Sequence, residues 1–279
     1  MTKNIELMTL FWTNAGIFPG KGEISPRDFE TRVKSAAKAG FTGIGLWHTD
    51  LEHICVHHSV PEIRRILDDN GMRHLELEFL TDWFLSGARR AESDNRRRRL
   101  LEASAALGAH HVKIGDFYNS PYSMPQLVES FAALCKQAQG YGATIGFEFM
   151  ASAMLNRLDD CLALVEGAGA RNGGLIVDIV HTVMLGMSHD ALSRIPARHL
   201  VSVELNDGAL PGSPRYDPAR ERRFCGEGDF DIRGFIAAIR RTGYTGPWAV
   251  EIFSEELPAL PLDELNRRTY ATTMAQFAE

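Results

Sequence analysis

The 279-residue sequence lacks several features that would assign it to a membrane, secreted or nucleic-acid-binding class. No apolar run reaches the roughly 18 residues that a membrane helix needs, and the N-terminus has no apolar stretch with a cleavage site, so we expect no secretory signal. The four cysteines form no CxxC pair, which favours reduced thiols in a cytoplasmic protein. With 30 basic against 36 acidic residues, a formal net charge of -6, the chain has no basic excess for nucleic-acid binding.

Short apolar segments alternate with amphipathic ones along the whole chain, and no linker rich in Pro, Ser or Gly divides them. Eight such pairs predict a single (β/α)8 TIM barrel over residues 1–279. A doubly wound open sheet is the competitor, but the first strand is not followed by a glycine-rich phosphate turn. We predict strands at residues 7–12, 41–47, 74–80, 111–114, 144–149, 175–179, 199–205 and 247–253. Helices are predicted from Ser25-Pro26 to Gly40 and over residues 60–70, 93–107, 125–139, 158–166, 189–194, 230–241 and 262–277.

Four acids interrupt apolar runs near the ends of the last four predicted strands: Glu148, Asp178, Glu204 and Glu251. The active site of such a barrel lies at the C-terminal ends of its strands. Carboxylates that converge there repel one another unless a cation lies among them. Oxygen ligands favour a hard ion, so we predict one divalent metal, Mn2+ or Mg2+. The alternative is that each acid pairs with an Arg or Lys at the barrel rim.

The segment LIVDIVH, with Asp178 and His181 in DxxH spacing, is flanked by GFEFM and WAVEIF. Together these segments resemble the xylose-isomerase-like superfamily of sugar phosphate isomerases and epimerases, over essentially the whole chain. The resemblance to its ketose 3-epimerases implies that Glu148, Asp178 and Glu251 bind the metal. It also implies that Glu148 and Glu251 act as acid/base groups on opposite faces of the substrate. His181 matches a residue that holds substrate oxygens near the metal.

One position departs from that family pattern. The seventh strand of those relatives usually ends in His, or in Gln in the 3-dehydroshikimate dehydratases, three residues before an Asp. Here the matching residue is Glu204, followed by Asp207. Four carboxylates would then face one divalent ion, so we infer that one carboxyl is protonated or that nearby cations compensate. The alternative is that Glu204 points away and water takes its place.

Three further residues are predicted to bind the substrate. His48 follows the second strand, Lys113 lies on the fourth, and Arg223 precedes a Gly-Glu-Gly loop that resembles the R-x-x-G-E-G stretch of relatives. Each can orient an anionic substrate or balance its charge. The alternatives are a structural histidine, a lysine paired with Glu76 or Glu78, and an ordinary loop arginine.

Aromatic residues are predicted to form an apolar wall over the substrate. Trp12 and Trp83 are the principal candidates, together with Trp47 and Phe84. The alternative is that these rings belong to the core.

A divalent ion that holds a carbonyl and its neighbouring hydroxyl acidifies the adjacent C–H and stabilises an enediolate. We therefore predict a metal-dependent isomerase or epimerase of a sugar or polyol-derived ketone, with catalytic Glu148, Glu251 and His181 and with Arg223 as a second substrate holder. The second candidate is a dehydratase or other lyase acting on a keto-sugar, keto-inositol or dehydroshikimate-like ring. The ligands alone do not separate these reactions, because all share the first proton abstraction.

Two hypotheses place the chain in other functional classes. A catalytically silent barrel would serve as a scaffold subunit. Endonuclease IV shares the fold and the DxxH segment, but it needs a His-rich three-zinc site, and Lys113 occupies the position of one of its metal-binding histidines. The expected partner is thus a small carbohydrate or keto substrate, with no nucleic acid and no membrane. A homo-oligomer is compatible with the sequence, which does not specify the number of subunits.

Overall fold

A computed structural model of the chain describes residues 5–278. Within these residues, eight parallel strands form a closed barrel in chain order, because the first strand pairs with both the second and the eighth. This confirms the predicted (β/α)8 fold. Residues 1–4, on which the expectation about a secretory signal partly rests, lie outside the described residues. The strands are β1 (Leu7–Thr9), β2 (Gly43–Trp47), β3 (His74–Leu80), β4 (His111–Ile114), β5 (Ile145–Glu148), β6 (Gly173–Asp178), β7 (Leu200–Leu205) and β8 (Trp248–Val250).

Helices surround the barrel. They are α1 (Phe11–Asn14), α2 (Phe29–Ala39), α3 (His48–His57), α4 (Val60–Asp69), α5 (Gly87–Leu107), α6 (Met124–Gln139), α7 (Leu158–Ala168), α8 (Ile179–Met184), α9 (His189–Leu192), α10 (Ile232–Arg241) and α11 (Leu262–Gln276), with 3-10 turns at Ala197–His199 and Leu257–Ala259. None of the helices within residues 5–278 combines the length and hydropathy needed to cross a membrane.

The predicted start of α2 is three residues too early. Ser25 does not cap the helix: its hydroxyl donates to the carbonyl of Ala15 at 2.7 Å and accepts from the Arg27 N–H at 3.0 Å. The N-cap is Asp28, whose carboxylate accepts from the Thr31 N–H at 2.9 Å. At the other end Gly40 closes the helix with φ 113°, a left-handed conformation that glycine adopts without a steric penalty.

Two differently composed regions fill the space inside and outside the barrel. Between strands and helices lies a large apolar core. Inside the barrel the small apolar cluster of Met8, Leu10 and Ala249 covers only the β1 and β8 side. Gly45 makes room beside it, since a Cβ there would lie 3.1 Å from the Oε1 atom of Glu78. Barrel interiors are ordinarily packed with branched apolar side chains, so the buried charged residues that share this interior need a functional reason.

Candidate active site

Four carboxylates converge at the C-terminal ends of neighbouring strands. Glu148 ends β5, Asp178 ends β6, Glu204 lies near the end of β7, and Glu251 follows β8. Asp178 and Glu204 are paired directly across the β6–β7 ladder. Each of the four offers one oxygen, and these oxygens lie within 4.8 Å of one another. All four side chains are buried. The structure thus brings together the acids that the sequence places at strand ends, and their role as metal ligands remains a prediction.

Lys113 lies among these acids, in the barrel interior. It is fully buried, which places its ammonium group below the mouth rather than at the solvent side of the site. Its contacts include the pairing with Glu76 and Glu78 that was the alternative to substrate binding. The distances from its Nζ atom are 2.7 Å to Glu204, 3.1 Å to Glu76, 3.3 Å to Glu251, 3.5 Å to Glu78 and 3.9 Å to Glu148.

Arg222 is the site residue that the sequence analysis missed. Its Nη1 atom lies 3.1 Å from Oδ2 of Asp178 and 3.2 Å from Oε2 of Glu251. The guanidinium group stacks over the ring of Phe253, with 4.0 Å between its central carbon and the ring centroid. It is also buried. Arg222 therefore fixes two of the four carboxylates and neutralises part of their charge.

Arg223, which the sequence predicts to bind the substrate, pairs with Asp207 through its backbone. Its N–H and carbonyl form an antiparallel bridge with Asp207, at 2.8 and 3.1 Å. Successive side chains of an extended segment point in opposite directions, so we infer that Arg222 faces the carboxylates and Arg223 faces away. Two consecutive arginines precede the Gly-Glu-Gly loop. The backbone bridge between Arg223 and Asp207 decides which of the two side chains faces the carboxylates.

Asp207 anchors the same loop. Its carboxylate accepts from the N–H groups of Gly208 and Gly226 at 2.8 Å and of Phe230 at 3.0 Å. A Cβ at Gly228 would lie 2.3 Å from Oδ1 of Asp207, so the loop can close on this carboxylate only with glycine there. The Asp that follows Glu204 by three residues thus positions the segment that carries Arg222.

His181 lies at the edge of the carboxylate group. Its Nε2 atom is 3.5 Å from Oε1 of Glu148, and its Nδ1 atom accepts from the Ala151 N–H at 3.4 Å. It also belongs to a second set, with Glu148 and Asp178, whose ligand atoms lie within 4.8 Å of one another. This position allows His181 to bind a metal ion, and its contact to the substrate stays a prediction.

The aromatic residues divide between the mouth and the core. Trp12 packs against Trp47, with ring centroids 5.1 Å apart, and lies 5.9 Å from Phe253, the ring beneath Arg222. Trp12 therefore borders the site through one intervening ring. Trp83, predicted with it, is buried against Phe131 and Phe147 in the core outside the barrel. Its place differs from the predicted wall because Phe147 points outward from β5, whereas the next residue, Glu148, points inward.

His48 follows β2 and accepts a hydrogen bond at Nδ1 from the Phe79 N–H, at 3.4 Å. Burial disfavours its imidazolium form and lowers its pKa from 6.5 to about 4. The stability that neutral His48 contributes is therefore complete above pH 6.5 and is lost as the pH falls from 6.5 towards 4. When the pH is lowered from 6.5 towards 4, we expect the free energy of unfolding to fall less in His48→Gln than in the wild type.

Urea midpoints at pH 7 and pH 4.5 would measure this difference. His53→Gln, at an exposed position of the same helix α3, is the matched control. Equal losses of stability in His48→Gln and the wild type would contradict the interpretation.

The surroundings shift the pKa values of the carboxyl groups in different directions. For Glu148, burial raises the pKa, but the attraction of Lys113, His181 and Arg222 outweighs it, so the pKa is lowered. Burial raises the pKa of Glu251, and repulsion from Glu148 adds to this effect. Burial also raises the pKa of Glu204, and the attraction of Lys113 opposes that rise and favours the carboxylate form. Glu148 therefore loses its proton at lower pH than Glu251, a difference that suits their predicted roles as acid/base groups.

The residues present fit a divalent cation. Six buried carboxylates, counting Glu76 and Glu78, lie in contact with two permanent cations, Lys113 and Arg222. Within residues 5–278, the Oε2 atom of Glu204 is buried without a hydrogen-bond partner. A buried carboxylate oxygen without a partner is costly, and a metal ion satisfies it. The donor set is four carboxylates, with the His181 imidazole beside them.

Comparison with known proteins identifies the family. The profile of the xylose isomerase-like TIM barrel family matches residues 33–276. The chain belongs to this family. It is 28% identical over 240 residues to a 3-dehydroshikimate dehydratase of Pseudomonas aeruginosa, a match that covers 82% of this chain and 37% of that protein. The chain thus spans little more than a third of the dehydratase. An inosose isomerase of Bacillus velezensis is 24% identical, with 80% of this chain and 78% of the relative covered.

Solved structures show the same fold. The crystal structure of the IOLI protein with a binding zinc atom has a TM-score of 0.86 and 18% sequence identity, and 98% of each chain is covered. The family and fold expected from the sequence are confirmed. The relatives named here include a dehydratase and an isomerase, so family membership does not distinguish between the two reactions.

Proposed function

We propose that the chain is a divalent-metal-dependent isomerase or epimerase of a small sugar or polyol-derived ketone. The observation that carries this proposal is the convergence of four buried carboxylates from β5 to β8, with oxygens within 4.8 Å of one another. A barrel that served only as a scaffold would have no reason to bear the cost of burying these acids together.

Glu148, Asp178, Glu204 and Glu251 would hold the metal, with Mn2+ or Mg2+ favoured by the oxygen donors. Zinc is the competing ion, because a structural neighbour contains it and His181 adds a nitrogen donor. When bound, the ion would supply the positive charge that polarises a substrate carbonyl and acidifies the adjacent C–H.

The chain's own residues would then move the proton. Glu148 removes it from the carbon beside the carbonyl, and Glu251 delivers a proton to the other face or to the neighbouring carbon. His181, which contacts Glu148, holds substrate oxygens. Arg222 orients Glu251, and Trp12 closes the apolar side of the mouth, with His48 near the end of β2.

A dehydratase is the second candidate, and the 28% identity to a 3-dehydroshikimate dehydratase favours it. It would use the same proton abstraction, followed by expulsion of a β-hydroxyl group. A panel of keto-sugars, keto-inositols and 3-dehydroshikimate in deuterated water distinguishes the two. Deuterium uptake with no loss of water supports isomerisation or epimerisation, and a new conjugated double bond supports dehydration.

Metal analysis of protein purified without chelator tests the site itself. We expect about one Mn2+ or Mg2+ per chain in the wild type. Asp178→Asn should weaken Mn2+ binding by more than the roughly 10–100-fold that loss of an outer-sphere partner costs, and Glu148→Gln should act similarly. Asp190→Asn, whose side chain is exposed, is the control. A wild type that contains no metal and gains no thermal stability from added Mn2+ would favour the scaffold reading.

A further inference from the structure

The interior of the barrel contains a fully buried lysine in contact with five glutamates. Lys113 projects from β4, and its nearest partner is Glu204 on β7, at 2.7 Å between Nζ and Oε1. Two strands, β5 and β6, lie between them in the sheet, so this contact crosses the barrel interior. Both side chains have 0% exposure. The contact is therefore a desolvated ion pair built into the core.

The second cation of the site, Arg222, contacts Asp178 and Glu251, at 3.1 and 3.2 Å. Glu251 is shared, because it also lies 3.3 Å from Lys113. Glu204 is the metal-site carboxylate that lies closest to Lys113, so we assign the two to each other by distance.

The charge balance of the site gives this pairing a purpose. A divalent ion and Arg222 together balance the three negative charges of Glu148, Asp178 and Glu251. A fourth uncompensated carboxylate would leave an excess of one negative charge in a site that excludes water, where repulsion is strong. An ammonium group 2.7 Å from Glu204 removes that excess. The other oxygen of Glu204 has no hydrogen-bond partner in the described part of the chain and is free to face a metal.

We propose that Lys113 is the internal counter-ion of Glu204, and that the pair supplies a fourth carboxylate to the metal site without adding net charge. Lys113 is then a positioning residue rather than a substrate-binding one. The inference rests on the proposed metal-dependent function and assigns the charge of the same site.

Four variants test the pairing: Lys113→Met, Glu204→Gln, the double variant, and Lys38→Met as the control. Lys38 is also a lysine paired with an acid, Asp263, but its side chain is exposed at the surface. Thermal unfolding in EDTA and Mn2+ binding by calorimetry are measured for each. Thermal unfolding in EDTA measures how much the Lys113–Glu204 pair stabilises the metal-free protein. Calorimetry measures how the charge of the site changes its affinity for Mn2+.

In EDTA, Lys113→Met should lower Tm, because the glutamates around it lose their common cation. Glu204→Gln should raise Tm when added to Lys113→Met but not when made in the wild type, which is the non-additivity expected of a direct pair. For Mn2+, Glu204→Gln should weaken binding by about tenfold or more, and Lys113→Met should strengthen it by a similar factor. The double variant should bind Mn2+ within about threefold of the wild type.

A reduction of Mn2+ affinity by Lys113→Met, in the same direction as Glu204→Gln, would overturn the proposal. So would an absence of rescue in the double variant. If Lys113→Met does not fold in EDTA, a folded double variant supports the pairing and an unfolded one contradicts it. A wild type that binds no metal defeats the proposed function, whereas the EDTA comparison still decides whether Lys113 and Glu204 act as a pair.

Discussion

Glu251→Gln should lower the rate of deuterium exchange into the isomerised or epimerised product of a keto-sugar by about 10²–10⁴-fold, because Glu251 delivers that proton. Gln keeps the shape of the side chain but neither accepts nor delivers the transferred proton. Glu251 is 4% exposed and is held by Lys113 at 3.3 Å and Arg222 at 3.2 Å, so its carboxylate has a fixed position in the site. The exchange is followed by proton NMR in deuterated water at saturating Mn2+, which limits the contribution of weaker metal binding.

Glu255→Gln is the matched control for this loss. Glu255 lies on the same segment after β8, but its side chain is exposed and contacts Arg220 only at 4.0 Å. The exchange rate of the Glu255→Gln variant should stay within about twofold of the wild-type rate, because an exposed ion pair contributes little. Exchange by Glu251→Gln at the wild-type rate, with metal bound, would remove Glu251 from the catalytic pair.

Arg32→Met should lower the free energy of unfolding by about 3–5 kcal/mol. Arg32 of α2 and Asp50 of α3 form an ion pair in which both side chains are 1% exposed. Without Arg32, the carboxylate of Asp50 keeps the Ser25 N–H, at 2.8 Å, and remains a buried charge. Because the pair joins two helices, urea unfolding followed by circular dichroism at pH 7 measures the effect.

An exposed pair on the same helix provides the comparison. Lys34 contacts Glu30 with 61% and 43% of the side chains exposed, so Lys34→Met should cost less than about 1 kcal/mol. Adding Asp50→Asn to Arg32→Met should recover part of the loss, because the uncompensated charge is removed. If Arg32→Met and Lys34→Met lowered the free energy of unfolding equally, burial would contribute nothing to the effect of the Arg32–Asp50 pair.

The barrel strands were predictable because apolar segments of strand length alternate with amphipathic segments. The strands at residues 74–80 and 111–114 agree with the structure at both ends. Three short helices were not anticipated: α1 and α8 begin where predicted strands were extended too far, and α3 follows β2 directly. An apolar run does not distinguish the last residues of a buried strand from the first turn of a buried helix.

Within the site, the acids were predictable and their cations were not. Each carboxylate interrupts an apolar run, a local pattern that is visible in the sequence. The choice between Arg222 and Arg223 depends on the bridge to Asp207, and the partners of Lys113 depend on which strands face each other across the interior. Trp83 shows the same limit, since its neighbours come from β5 and α6.

The sequence by itself determined the fold class, the family resemblance and the four strand-end acids, because periodicity and interrupted apolar runs are local properties of a chain. Only the tertiary structure decided how the charges are paired. Closure of the barrel brings Lys113 of β4 close to Glu204 of β7 across the interior, and the loop held by Asp207 turns Arg222 towards Asp178 and Glu251. Electrostatic pairing depends on distances of a few ångströms between residues far apart in sequence, and only the closed barrel sets these distances.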